Sequence, residues 1–271
     1  MSAPPDADLA DKVLTFLEVD IEQPSVDFLD GLITAYTRKV PWESAFRIAR
    51  RASTADTLSC PRWPSIFWCD AIERGGGGTC FESNYAFFSL LGRLNFEGYL
   101  TINNMQETIG CHTAIVLWID GGKWLTDVGL PLFVSLPIDE TAATRRESFA
   151  HEYQVVPVGP RRFNILRDRH PKPNCFTLVD EPVEDYAYRQ ATTCDYEPSG
   201  YFLDRVIITK VVNGVPWRFN GAERPLHLES FPEGMRVDYP IEDNVVDHLA
   251  RHFAMDPLTL ENAFAAVSSN D

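Results

Sequence analysis

"CHTAIVLWIDGGKWLTDVG", Cys111 to Gly129, decides how the middle of this chain folds. Two runs rich in β-branched and aromatic residues flank Asp120-Gly121-Gly122, and an Asp-Gly step between such runs is a strong hairpin signal. With Asp120-Gly121 as the two-residue turn, Ile119 pairs with Gly122 and Asp127 falls opposite Ala114. His112 is then the diagonal neighbour of Asp127 on one face, about 7–8 Å away at the backbone and within reach of long side chains. A turn at Gly121-Gly122 keeps the face but stretches the stagger to roughly 13 Å, at about 3.3 Å per residue. The first register, or a bulge, is therefore expected. Taken singly, His112 also reads as a satisfied strand-end histidine, and Asp127 as a cap on the turn before Gly129.

Upstream, "ERGGGGTCFESNYAFF", Glu73 to Phe88, sets four glycines and a threonine before Cys80. Phe81, Tyr85, Phe88 and Leu91 recur at helical spacing, so Cys80 stands in the first turn of an amphipathic helix that stops near Gly92. A thiol there faces unpaired backbone N–H groups and the positive end of the helix dipole. Both favour a thiolate, and the same N–H groups can stabilise a developing oxyanion. Glycines let a carbonyl approach the sulfur closely. The run reads equally as a flexible connection ahead of a small buried thiol. A thiolate nucleophile gains from a histidine, and the histidine from an orienting carboxylate. Cys80, His112 and Asp127 supply those residue types.

Elsewhere the first third reads as helical. Ser25 caps a helix carrying Phe28, Leu29, Leu32, Ile33 and Tyr36 on one face, and Pro41 ends it. Strands are expected at Tyr99 to Ile102, Tyr153 to Val158, Cys175 to Val179 and in "DRVIITKVV", with a closing helix from Val245 to Phe253. Helices first, a β-rich middle and a mixed end indicate an α+β protein.

At 271 residues and 45% hydrophobic content the chain can bury a sizeable core. No apolar run is long enough to cross a bilayer, and "MSAPPDADLADKV" lacks the basic start and hydrophobic centre of a signal peptide. A soluble, cytoplasmic protein is expected. Its net charge of −15 repels phosphate backbones and argues against nucleic acid or an anionic membrane as partner. An anionic small substrate would need a local basic patch. Cys60, Cys69, Cys80, Cys111, Cys175 and Cys194 form no CxxC pair, so free thiols are expected rather than a zinc site or disulfide framework. Among the histidines, His170 and His227 lie beside prolines in expected loops and His151 in a charged loop. His248 and His252 sit one turn apart on the closing helix without the intervening Glu or third ligand that a zinc site needs, so no metal is expected.

The order Cys80, His112, Asp127, set in "GGTCFESN", "CHTAIVLW" and "TDVGL", resembles the arylamine N-acetyltransferase family, with its RGG-x-C-x-E-x-N segment, sheet histidine and DVG or DAG turn. "KVPWES" resembles the family's PFEN box, "EPSGYF" its Pro/Ser-rich stretch ending in Phe, and "NGVPWRFNGAERPL" its late β-hairpin, so the likeness spans nearly the whole chain. It implies an N-terminal helical bundle over 1–93, a central β-barrel over 94–190 and a C-terminal α/β lid over 191–271, with a papain/transglutaminase-like Cys-His-Asp arrangement between the first two. It also implies ping-pong chemistry. Cys80 attacks the thioester of acetyl-CoA or another acyl-CoA, His112 shuttles the proton, Asp127 holds the imidazole, and a small-molecule amine takes the acyl group.

By the same resemblance Trp42, Cys111 and Leu130 line the acceptor pocket, Ser199 and Gly200 neighbour the coenzyme, and Glu82 and Asn84 act as supports. The chain departs from the family pattern in four places. Arg74 lies two residues further from Cys80 than the family's arginine, Trp42 replaces Phe, Ser44 replaces Asn, and Leu130-Pro131 replaces Phe-Gly. Losing that Phe removes an aromatic face from the acceptor pocket. The same triad would also serve an amide synthase using a carrier-bound acyl thioester, with a carrier protein as partner, or a triad hydrolase or transglutaminase-like enzyme. A non-enzymatic binding module is the weakest alternative, since no triad member is missing.

Overall fold

The computed structural model describes residues 7–170 and 172–268. The chain starts with α1 (Ala7–Leu17) and α2 (Val26–Lys39), then a short strand β1 (Trp42–Glu43), α3 (Ala45–Ser53), α4 (Pro64–Arg74) and α5 (Cys80–Arg93). Ser25 caps α2 by accepting the Phe28 N–H at 3.1 Å, and the expected apolar face from Phe28 to Tyr36 is buried. Pro64 opens α4, where its missing N–H costs nothing, and Gly75 at φ +64° ends it.

α5 corrects the amphipathic reading. Every residue from Cys80 to Leu91 is buried except Phe88, a member of the expected apolar stripe. The helix runs through the centre of the molecule, against α1, α4, β2 (Glu97–Met105) and β3 (Thr108–Ile119), so it presents no solvent face. Its buried Glu82 and Asn84 must therefore find partners inside the protein.

The β-rich middle adds β4 (Gly122–Thr126), β5 (Leu136–Ile138), β6 (Thr144–Glu147), β7 (Glu152–Gly159), β8 (Arg162–Arg167) and β9 (Asn174–Val179). They form an eight-stranded antiparallel sheet in the order β5-β4-β3-β2-β9-β8-β7-β6. Its end strands meet where Thr144 Oγ1 donates to the Pro137 carbonyl at 2.5 Å, so the sheet curls into a nearly closed barrel. Tyr153, Val155, Phe163, Ile165 and Phe176 fill the interior with the period of two that a barrel requires. β3 is the shared wall: Ala114 and Val116 join the barrel core, while Ile115, Leu117 and Ile119 join the helical core. Burial on both faces accounts for the unbroken apolar run in the opening stretch.

After α6 (Asp185–Cys194), which runs through residue 190, come β10 (Ile207–Val212), β11 (Val215–Asn220), β12 (His227–Ser230), β13 (Val237–Pro240), α7 (Val245–Phe253) and α8 (Pro257–Ser268). β1 joins this second sheet by pairing Trp42 with Thr209, and α3 places Ala45, Phe46 and Ile48 in one core with Phe219, Leu249 and Leu260. Residues 42–53 thus pack with the last third of the chain. One histidine expectation changes: His227 begins β12 instead of lying in a loop. His151 lies in the loop between β6 and β7, as expected, and is buried there against Phe133 and Tyr153. α8, absent from the sequence reading, starts at an Asp-Pro step where Asp256 Oδ2 accepts the Thr259 N–H at 3.0 Å. All six cysteines are free thiols.

Candidate active site

The hairpin adopts the first of the two registers: Ile119 pairs with Gly122 and Ile115 with Thr126, which carries Asp127 to the level of Ala114. Across that diagonal, His112 Nε2 meets Asp127 Oδ2 at 2.6 Å, with both side chains sealed from solvent. Asp127 Oδ1 accepts from Asn84 Nδ2 at 2.9 Å and from the Gly129 and Leu130 N–H groups at 2.8 and 3.0 Å. Those three donors fix the carboxylate, and its second oxygen fixes the imidazole. Phe176 packs beside the ring, 4.6 Å between centroids.

Cys80 is the first residue of α5 and is 8% exposed. Its thiol lies close enough to His112 to act on the ring's charge, and because Nε2 is already taken by Asp127, Nδ1 is the nitrogen left for the sulfur. Burial alone would disfavour the imidazolium. The Asp127 charge and hydrogen bond, with the Cys80 contact, outweigh it and push the His112 pKa up to about 10. A protonated imidazole beside sulfur is the partner a thiolate needs. Cys80 Sγ also lies 3.8 Å from the Cys111 carbonyl oxygen. Burial, chiefly, pushes the Cys111 thiol up and away from the thiolate form.

Residues that no motif announces hold this centre. Thr113 Oγ1 donates to the Cys80 carbonyl at 2.9 Å, and Tyr188 of α6 donates from its hydroxyl to the Phe81 carbonyl at 2.9 Å with its oxygen 3.1 Å from Thr113 Oγ1. Beneath α5, Arg62 Nη2 bonds Glu82 Oε2 at 2.6 Å and the Gly77 carbonyl at 2.7 Å, while the Tyr196 hydroxyl donates to Glu82 Oε1 at 2.6 Å. Arg47 donates to Thr79 Oγ1 at 2.8 Å and to Asp195 Oδ2 at 2.6 Å, tying the residue before Cys80 to the loop after α6. Arg74 points elsewhere, to Asp70 at 3.1 Å, Asp256 at 3.0 Å and Thr259. Glu82 and Asn84 carry motif signals; Arg47, Arg62, Thr113, Tyr188 and Tyr196 are defined only by tertiary packing.

The glycine run is corrected in its reason. Its backbone is buried from Gly76 onward and threads between close neighbours. A Cβ on Gly77 would stand 1.8 Å from the Pro41 carbonyl oxygen, and one on Gly75 would stand 1.9 Å from that of Ala254. The glycines let the chain pass between α2 and α7, instead of clearing a path to the thiol.

The residues expected to line the acceptor pocket lie around this centre. Trp42 packs edge-on against Phe202 at 5.0 Å, Leu130 packs its side chain on the barrel core, and Cys111 is half-buried. Behind Trp42 the space closes to a cavity of about 10 Å³ lined by Val128, Pro131 and Phe133. Ser199 is exposed, and Gly200 packs where a Cβ would meet the Asp195 carbonyl oxygen at 1.9 Å.

Among the described residues, Glu223, His227 and Glu229 have ligand atoms within 4.8 Å of one another. The Arg236 guanidinium occupies that space, 2.9 Å from His227 Nε2 and 3.2 and 3.3 Å from the two carboxylates. His248 and His252 take no part in it; the His252 ring packs on Trp217 at 4.4 Å.

Residues 25–223 match the model of a family described as N-acetyltransferase. The fold is similar to that of Mycobacterium marinum arylamine N-acetyltransferase in complex with CoA, with TM-score 0.80, 17% identity, and 96% of this chain and 98% of that chain covered. It is similar to the Salmonella typhimurium enzyme, with TM-score 0.79, 15% identity and coverage of 95% and 98%. It is also similar to a Bacillus cereus arylamine N-acetyltransferase described as having a unique Cys-His-Glu catalytic triad, with TM-score 0.73, 16% identity and coverage of 93% and 100%. No curated protein matches by sequence.

Proposed function

Because the chain belongs to the arylamine N-acetyltransferase family, we propose that it transfers an acetyl group from acetyl-CoA to a small amine through a thioester on Cys80. The observation that carries this reading is a His112 imidazole held by Asp127 at 2.6 Å beside Cys80 at the start of α5. Cys80 attacks the thioester carbonyl as thiolate, and the tetrahedral oxyanion is held by the Cys80 backbone N–H at the start of α5. Collapse breaks the carbon–sulfur bond to the donor, and the departing thiolate takes the proton from His112. An amine then attacks the acetyl-Cys80 carbonyl, His112 accepts the amine proton, and Cys80 leaves as thiolate with the amide formed.

Trp42, Cys111 and Leu130 shape the acceptor end in this reading, and the chain's small-molecule partners are the amine and the acyl thioester. Ser199 and Gly200 border the donor's path, on a loop that Asp195 and Arg47 tie to the residue before Cys80. No metal enters any step. No helix among the described residues is long and apolar enough to cross a membrane, which is compatible with action in the cytoplasm.

Intact-mass measurement tests the proposal. Stoichiometric acetyl-CoA should add one acetyl mass, absent in Cys80→Ala, and an added arylamine or hydrazine should remove it. A protein that stays unacetylated with acetyl-CoA but reacts with a carrier-bound acyl thioester would move the assignment to amide synthesis. Loss of the acetyl group to water alone would move it to hydrolysis.

A further inference from the structure

In a chain of net charge −15, a concentration of cations is informative. A cavity of about 460 Å³ lies where the last turns of α2 and α4 meet the end of α7, and Arg38, Lys39, Arg74 and Lys210 line it with Glu73 and Asp256. Arg74 is committed to Asp70, Asp256 and Thr259, and Asp256 to Arg74 and Thr259. Lys39 meets Glu18 at 2.6 Å in an exposed contact.

Lys210 is placed differently. Its ammonium donates to the Phe253 carbonyl at 2.8 Å, at the end of α7. An ammonium has three donors, and among the described residues no second acceptor meets this one. Burial, followed by the like charge of Lys39, lowers its pKa to about 8, and no carboxylate counters them. The carbonyl ends of α2 and α7 offset part of the positive charge. They supply no anion to Lys210, which unlike Lys39 has no carboxylate against it among the described residues.

We propose that this cavity binds a phosphate-bearing anion, a phosphomonoester or pyrophosphate group, between Lys39 and Lys210 with Arg38 at its rim. Thr209 faces Trp42 across the β1–β10 ladder, and strand alternation puts the Lys210 side chain on the opposite face of the sheet. None of Cys80, His112 and Asp127 lines this cavity, so the proposal does not depend on the reading of Cys80. Gly75, which lines the cavity, connects it to the loop that leads to Cys80. Two sources share the chemistry: the diphosphate end of coenzyme A, and a free phosphorylated metabolite.

Calorimetric titration of the full chain with pyrophosphate, at low ionic strength in phosphate-free buffer, tests the site. One binding event is expected, weakened roughly tenfold or more by Lys210→Met and by Lys39→Met. Lys123→Met, on the far side of the barrel beside Asp180, should leave it unchanged. Lys39 is on the surface, so its variant keeps the test valid if Lys210→Met fails to fold. Coenzyme A that displaces pyrophosphate would identify the donor's own diphosphate as the ligand; coenzyme A that binds alongside it would identify a free phosphorylated compound. Absence of binding to the wild-type chain at millimolar pyrophosphate, or unaltered affinity in Lys39→Met and any folded Lys210→Met, would overturn the proposal.

Discussion

Asn84 and Asp127 are joined directly: the Asn84 amide donates to Asp127 Oδ1 at 2.9 Å, and its carbonyl oxygen takes the neighbouring Val128 N–H at 3.0 Å. One buried side chain on α5 thereby sets both the carboxylate and the backbone that presents it. Asn84→Ala leaves a buried N–H without a partner, so stability should fall by roughly 1–3 kcal/mol in urea unfolding. Acylation of Cys80 should slow with it. Asn84→Asp, which sets a second negative charge against Asp127, should slow acylation further. Equal acylation rates in wild type and both variants would show that Asp127 keeps its place without Asn84.

Two groups make stability depend on pH with opposite signs. His112 has its folded pKa raised from 6.5 to about 10, so its contribution is complete below about 6.5 and is lost as pH rises towards 10. Lys210 has its folded pKa lowered from 10.5 to about 8, so its penalty is present below 8 and is relieved as pH rises from 8 towards 10.5. The thermal midpoint should therefore fall between pH 6.5 and 8 from His112 and flatten above 8. His112→Gln should lose the fall and show a rise above pH 8, and Lys210→Met should extend the fall towards pH 10. A wild-type profile that rises steadily across this range would contradict the His112 assignment.

The legibility of this protein divides along the same physical line. The hairpin was readable because an Asp-Gly turn fixes register locally, and register fixes which side chains share a face; that alone brings His112 to Asp127. The start of α5 was readable from spacing, but its environment was not, since burial on all sides depends on what packs against it. Nothing local marks Arg62 as the partner of Glu82, 20 residues away, or Tyr188 as the partner of Thr113, 75 residues away. The glycine run was visible while its cause was not, because a close approach by Pro41 or Ala254 belongs to the tertiary structure.

Arg62 and Arg74 should differ sharply on removal. Arg62 is 1% exposed and neutralises a Glu82 equally buried, so Arg62→Met leaves a carboxylate uncompensated beneath α5, a loss of roughly 3–5 kcal/mol. Arg74 is 44% exposed, and Arg74→Met should cost about 0–1 kcal/mol. Chemical denaturation of the two variants measures the contrast. A larger effect at Arg74 would mean that the arginine of the glycine segment keeps its supporting part despite its displacement in sequence.

Gly129 carries the last prediction, because the turn after Asp127 touches the nucleophile's own backbone. A Cβ there would stand 2.4 Å from Cys80 Cα and 2.7 Å from both Cys80 Cβ and Asn84 Nδ2, closer than such atoms can approach. Gly129→Ala must therefore push α5 and the hairpin apart, and that seam is where Cys80, His112 and Asp127 meet. Gly92, on the same helix, has open space around it, so Gly92→Ala should change neither folding nor chemistry by much. Intact mass after brief exposure to acetyl-CoA should show acetylated Gly92→Ala and little or no adduct on Gly129→Ala. Circular dichroism of Gly129→Ala distinguishes a folded chain with a separated site from one that has lost its structure. A folded Gly129→Ala protein that acetylates at the wild-type rate would mean that the thiol does not need the close contact between helix and hairpin.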